Sequence, residues 1–235
     1  MTRSPVVLLH GFTQTGVSWR PVVEHLDPAV EVATPDLPGH GTAAAARLDL
    51  AGTAAALAAE HGRATWVGYS MGGRVALRLA LDHPDLVERL VLVGATAGID
   101  DPAERAARRA ADEALARRIE ADGVEAFLAG WLAQPLFAGL DPAPDDLAAR
   151  RANPAAGLAA SLRLSGTGTM DPPWWAELGG LAVPTTVVAG EHDAKFRALG
   201  ERLAAAVAGP ATVAVVPATG HACHLQAPAA LAALL

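Results

Sequence analysis

The sequence predicts an α/β chain: a mostly parallel, doubly wound sheet with a helical cap inserted between two of its strands. Three observations carry that expectation. Short aliphatic runs alternate with longer alanine-rich amphipathic stretches, the pattern of parallel strands joined by helical crossovers. One interval, residues 99–178, has helical stretches and no convincing strand. A glycine-flanked serine sits in a sharp turn between one strand and one helix.

The elements follow in order. Residues 6–9 (Val-Val-Leu-Leu) form the first strand and 18–25 the first helix. Residues 30–34 are a second strand, 50–61 a helix rich in alanine, the best helix former. Strand 64–68, helix 72–83 and strand 90–93 come next. The interval 99–178 then supplies helices at 103–120 and 124–132, and an insertion of this size reads as a cap over the sheet's edge within one domain spanning 1–235. Pro184 marks re-entry into the sheet, followed by strand 185–189, helix 198–208, strand 212–216 and helix 228–235.

Composition excludes several classes of function. The 235 residues are 51% hydrophobic and 18% charged, enough apolar material for one sizeable core and unlike a disordered chain. The formal charge of −7 offers no basic face for nucleic acid. A single cysteine, Cys223, permits no internal disulfide and no CxxC metal site, and no metal is expected. The apolar run after Ser4 is shorter than the roughly 7–15 residues of a secretory core or the ~20 of a spanning helix, so no membrane insertion and a cytoplasmic location are expected. Gly166-Thr167-Gly168 follows no strand and lacks the rest of a dinucleotide fingerprint, and no P-loop is present; no cofactor is expected.

Gly68-Tyr69-Ser70-Met71-Gly72 matches G-x-S-x-G, a pattern this composition yields about 0.05 times by chance. A serine on a strained strand-to-helix turn needs glycine neighbours so that strand and helix can approach, and the helix N-terminus offers N–H groups to developing negative charge. Serine alone is a poor nucleophile or base and requires a histidine oriented by a carboxylate. In α/β-hydrolases these follow in the order Ser, acid, His after successive strands. Asp193 and His221 occupy those places, each just past a strand, with Glu191, His192 and His224 as local competitors. The oxyanion donors would be the amides of Phe12, in the loop after the first strand, and of Met71. His10 in that loop is expected to support it by hydrogen bonds. His221-Ala222-Cys223-His224 lacks the convergent ligands of a zinc site, and Cys223, without an elbow, reads as a buried hydrophobe.

Beyond the elbow, the chain resembles the 2-succinyl-6-hydroxy-2,4-cyclohexadiene-1-carboxylate synthase family of the α/β-hydrolase superfamily over nearly its whole length. The resemblance rests on Leu9-His10-Gly11-Phe12 with Trp19, on Asp36-Leu37-Pro38-Gly39-His40-Gly41, and on Val67 to Arg74. It continues through Trp131 and Gln134-Pro135-Leu136-Phe137, Gly190-Glu191-His192-Asp193-Ala194-Lys195-Phe196, and Gly220-His221 with His224-Leu225. It implies a cofactor-independent lyase of menaquinone biosynthesis that eliminates pyruvate from a cyclohexene bearing succinyl and enolpyruvyl groups, with the triad abstracting a proton. It also implies that Arg74, Arg108 and Arg151 bind substrate carboxylates, with Arg150 one register step away, and that Tyr69 and Trp131 wall the pocket. The segment Thr169-Met170-Asp171 departs from the family pattern, which usually has a glutamine and then a tryptophan there, and brings an acid near the cap.

The expected partner is therefore a small polycarboxylate. Between Ile99 and Leu178 there are 8 arginines against 13 acidic residues, so any substrate-binding arginines must be selected by position and not by bulk charge. The same triad would serve a carboxylesterase or C–C bond hydrolase acting through an acyl-enzyme on Ser70. An inactive ligand-binding relative has no need of all three triad residues. A monomer or small homo-oligomer is expected.

Overall fold

The computed structural model describes residues 4–235. Six strands, β1 (Val6–Leu9), β2 (Val32–Ala33), β3 (Ala64–Tyr69), β4 (Val87–Val93), β5 (Thr185–Gly190) and β6 (Ala211–Val216), form one sheet. Their spatial order is β2-β1-β3-β4-β5-β6, and every pairing is parallel. The helices are α1 (Arg20–Val23), α2 (Leu50–Glu60), α3 (Met71–Asp82), α4 (Pro102–Leu132), α5 (Pro144–Arg151), α6 (Ala155–Ser165), α7 (Ala194–Ala206), α8 (Cys223–Gln226) and α9 (Pro228–Ala232).

Both faces of the sheet are covered, which is why its strands read as continuous apolar runs. Alternate side chains serve opposite layers. Val7, Leu9, Trp66, Leu90 and Leu92 pack with α2, α3 and α7, while Val6, Leu8, Val67, Val91 and Val93 pack with α1, α8 and α9. Each fully buried aliphatic side chain contributes about 1.5–3 kcal/mol of transfer free energy. The strand order reverses between β1 and β3, so the loops after these two strands diverge and leave a crevice at their carboxyl ends.

The cap lies between β4 and β5. It carries a separate apolar cluster of Ala116, Ile119, Phe127, Leu158, Ala159 and Leu162, and Phe12 from the loop after β1 packs against it. The stretches expected at 103–120 and 124–132 meet end to end in α4, where Gly123 leaves helical geometry with φ 81° and kinks the helix.

Other differences have local causes. Only Val32 and Ala33 of the strand expected at 30–34 pair, because this edge strand meets β1 alone and Pro35 has no N–H to extend the ladder. The helix expected at 18–25 becomes a 3-10 turn, Gly16–Trp19, followed by α1, with Pro21 in the first turn where its missing N–H is harmless. The helix after β5 begins at Ala194 instead of 198, because Asp193 caps it. Among the described residues no helix is long and apolar enough to cross a membrane.

Candidate active site

The serine turn is built by its glycines. A Cβ on Gly68 would come within 2.2 Å of the Gly72 carbonyl oxygen, and one on Gly72 within 2.2 Å of that of Leu9. Ser70 itself has φ 50° and ψ −103°, a conformation of order 1–3 kcal/mol above the relaxed backbone, as expected of a nucleophile elbow. Its amide is fixed to the Val93 carbonyl at 2.8 Å. Met71 opens α3, where first-turn amides have no intrahelical acceptor.

Asp193 divides its carboxylate. Oδ1 accepts the Phe196 amide at 3.2 Å and caps α7, while Oδ2 lies 2.6 Å from His221 Nδ1. With Nδ1 committed to the carboxylate, the neutral imidazole presents Nε2 as its basic nitrogen. The ring lies among Phe196 at 4.4 Å, Tyr69 at 5.2 Å and Phe137 at 6.3 Å between centroids. The competing acid, Glu191, instead accepts the Ala218 amide at 2.8 Å. His224 turns away to Gln14, and burial raises the Cys223 thiol to about 12, keeping it protonated.

Ser70 and His221 line one cavity of about 160 Å³, together with Phe12, Tyr69, Met71, Arg74, Arg108 and Trp131. Thus nine of the ten residues named from the sequence converge: eight on the cavity wall, and Asp193 behind His221. Arg151 does not. It reaches outward to Glu125 at 2.9 Å, and Arg150 lines the cavity in its place, because a step of one residue turns about 100° around α5. Arg150 is 2% exposed, pairs with Asp146 at 2.7 Å and donates to Thr13 Oγ1 at 2.8 Å. Lys195 also lines the cavity, and among the described residues no carboxylate does.

Arg74 is buried, donating to Thr167 Oγ1 at 3.0 Å and to the Ser165 carbonyl at 2.7 Å. Its Nε has no partner among the described residues. Burial, then the charge of Arg108, lowers its pKa to about 10, which leaves it cationic at neutral pH. Arg108 is half exposed and pairs with Asp112 at 2.9 Å. The Trp131 indole N–H is buried without a partner among the described residues, its ring packed on Phe12, Phe127 and Phe137. Asp171, the acid expected near the cap, pairs with Arg105 at 2.9 Å and Arg109 at 3.3 Å and does not line the cavity.

His10 and His40 act as struts. His10 Nε2 accepts the Leu37 amide at 2.9 Å, so its Nδ1–H donates to the Gly11 carbonyl at 2.8 Å. His40 Nε2 accepts the Thr13 amide at 3.2 Å. Burial lowers the pKa of His10 to about 4 and that of His40 to about 3, so both are neutral. Arg150, the alternative one register step from Arg151, is the one on the wall; Lys195, Gln14 and Phe196 line it without having been singled out from the sequence as wall residues, and the first turn of α7 is the signal that could have pointed to Lys195 and Phe196.

Residues 6–234 match the model of the alpha/beta hydrolase family. The chain is 36% identical to 2-succinyl-6-hydroxy-2,4-cyclohexadiene-1-carboxylate synthase of Klebsiella pneumoniae (strain 342), over 98% of this chain and 91% of that one. It superposes on the structure of MenH from S. aureus with a TM-score of 0.90 and 29% identity, covering 100% of this chain and 92% of that chain. A thermophilic esterase from Thermogutta terrifontis, malate bound, gives a TM-score of 0.81 at 25% identity, over 99% and 88%. The chain has the α/β-hydrolase fold and belongs to the 2-succinyl-6-hydroxy-2,4-cyclohexadiene-1-carboxylate synthase family within it.

Proposed function

We propose that the protein is the cofactor-independent lyase of menaquinone biosynthesis that its relatives are named for, eliminating pyruvate from an enolpyruvyl-bearing cyclohexene. One observation carries this reading. In a chain of net charge −7, four cationic side chains among the described residues, Arg74, Arg108, Arg150 and Lys195, line the cavity of Ser70 and His221, and no described carboxylate does. A cavity that concentrates positive charge in an acidic protein suits a substrate with several carboxylates, and guanidinium forks suit them best.

In this mechanism His221, aligned by Asp193, takes a proton by way of the Ser70 hydroxyl from the carbon beside the succinyl carbonyl. The amides of Phe12 and Met71 hold the resulting oxyanion. The electron pair then moves through the ring, the C–O bond to the enolpyruvyl group breaks, and the departing enolate takes a proton and becomes pyruvate. No acyl-enzyme forms. Tyr69, whose phenol burial pushes far above its ordinary range, stays neutral as a wall residue.

The test is direct. Pyruvate release from the enolpyruvyl substrate, lost by at least 10³-fold in Ser70→Ala, supports the lyase. Rapid turnover of nitrophenyl esters with no pyruvate replaces it with an acyl-enzyme hydrolase. A cytoplasmic location is proposed with it.

A further inference from the structure

Phe12, the proposed oxyanion donor after β1, is bracketed by two residues whose amides are tied down by side chains. The Gly11 amide donates to Gln14 Oε1 at 2.9 Å, and the Thr13 amide to His40 Nε2. Among the described residues the Phe12 amide itself donates to no acceptor. The Gly11 carbonyl, on the peptide that carries the Phe12 N–H, accepts the His10 Nδ1–H at 2.8 Å and the Gln14 amide at 3.2 Å, and Gly11 has no substitute: a Cβ there would lie 2.6 Å from the Tyr69 ring.

The orientation of the Gln14 carboxamide follows from its partners. Its oxygen faces the Gly11 N–H, so its NH₂ is the group 3.0 Å from His224 Nε2. An imidazole nitrogen that accepts a hydrogen bond carries no proton, so His224 is the Nδ1–H tautomer. His224 is fully buried and wedged between Trp19 and Tyr69, at 5.0 and 4.1 Å between ring centroids. It forms a rigid abutment.

We propose that Gln14 is a positioning residue: braced against His224, its carboxamide holds the Gly11 peptide so that the neighbouring Phe12 N–H stays aimed at the developing oxyanion. This rests on the assignment of Phe12 to the oxyanion hole, and it applies equally to a lyase or an acyl-enzyme hydrolase. The clamp requires a neutral His224. Burial, then Arg150 and His221, hold its pKa well below the ordinary value; Tyr69 also faces it, and Cys223 adjoins it in the chain.

Two variants test this. Gln14→Leu removes both hydrogen bonds, and Gln14→Glu keeps the acceptor for Gly11 while placing a carboxylate oxygen against His224. The readouts are kcat, KM and the rate at which diethyl 4-nitrophenyl phosphate labels Ser70, each as a ratio to the unsubstituted protein at every pH. Gln14→Leu is expected to lose about 10-fold or more in kcat and labelling rate with KM within about twofold. Gln14→Glu keeps the Gly11 acceptor, and neutral His224 can donate to it as the Nε2–H tautomer, its Nδ1 having no partner among the described residues, so both rates are expected to stay within about threefold of the unsubstituted protein. A Leu variant within twofold on both rates overturns the proposal, as does a Glu variant no better than the Leu variant at any pH. Should Gln14→Leu fail to fold, Gln14→Glu decides alone: a loss of about 10-fold or more in both rates at every pH overturns the proposal. Labelling needs no pyruvate release, so failure of the lyase reading shows in the unsubstituted protein and failure of the clamp shows in the ratio.

Discussion

Gly94 forms the floor beneath His221: a Cβ on it would stand 2.8 Å from Cε1 and 3.0 Å from Nδ1 of the imidazole. The residue directly follows β4 with φ 56°, its amide held by the Val188 carbonyl at 2.9 Å, so the backbone there has no freedom to retreat. Gly94→Ala is therefore expected to displace the ring, lowering kcat by about 10- to 100-fold. The left-handed backbone adds a stability cost of only about 1–2 kcal/mol. Steady-state kinetics beside a thermal melt checks the split; an unchanged kcat refutes it.

Arg150 and Asp146 are a buried ion pair one turn apart on α5, with side chains 2% and 4% exposed. Asp146 also accepts the Ser18 hydroxyl. Replacing it by asparagine leaves a buried guanidinium uncompensated, which costs about 3–5 kcal/mol. At roughly 2–4 °C per kcal/mol for a chain of this size, Tm should fall by about 6–20 °C. Since Arg150 lines the cavity, a tricarboxylate such as tricarballylate should recover more Tm in the variant than in the parent. Equal recovery would place the pair outside substrate binding.

Arg74 and Lys195 should fail differently. Arg74 is buried, and its Nε lacks a partner among the described residues, so Arg74→Ala should raise KM for a polycarboxylate by about 10- to 100-fold while sparing neutral esters. Lys195 is exposed, in the first turn of α7 where a cation opposes the helix dipole. Its removal should cost less than about 1 kcal/mol and chiefly flatten the salt dependence of kcat/KM. Equal losses on both substrates would remove the role assigned to either residue.

The neutral struts His10 and His40 make stability depend on pH. Their folded pKa values, about 4 and about 3, lie below the ordinary 6.5. The unfolded chain therefore binds protons that the folded chain refuses. The stability they lend is complete above about pH 6.5 and drains away as pH falls toward 4, by up to about 1.4 kcal/mol per pH unit for each histidine. Urea unfolding between pH 7 and 4.5 should show that slope, and His40→Gln should make it shallower. Parallel slopes would count against the assignment.

The sheet was legible because burial on both faces leaves apolar runs, and the elbow because its backbone path admits only glycine at 68 and 72. Chain order pointed to Asp193 and His221 for the same reason, since each follows a parallel strand into the crevice. Tertiary structure alone decided which cap arginine faces inward. Arg150 and Arg151 are chemically identical neighbours, and only the setting of α5 against Thr13 and Ser18 turns one into the cavity and leaves the other with Glu125. It alone decided the Gln14 clamp as well, because hydrogen bonds among residues 11, 14 and 224 depend on distance in space, and spacing along the chain carries no trace of it.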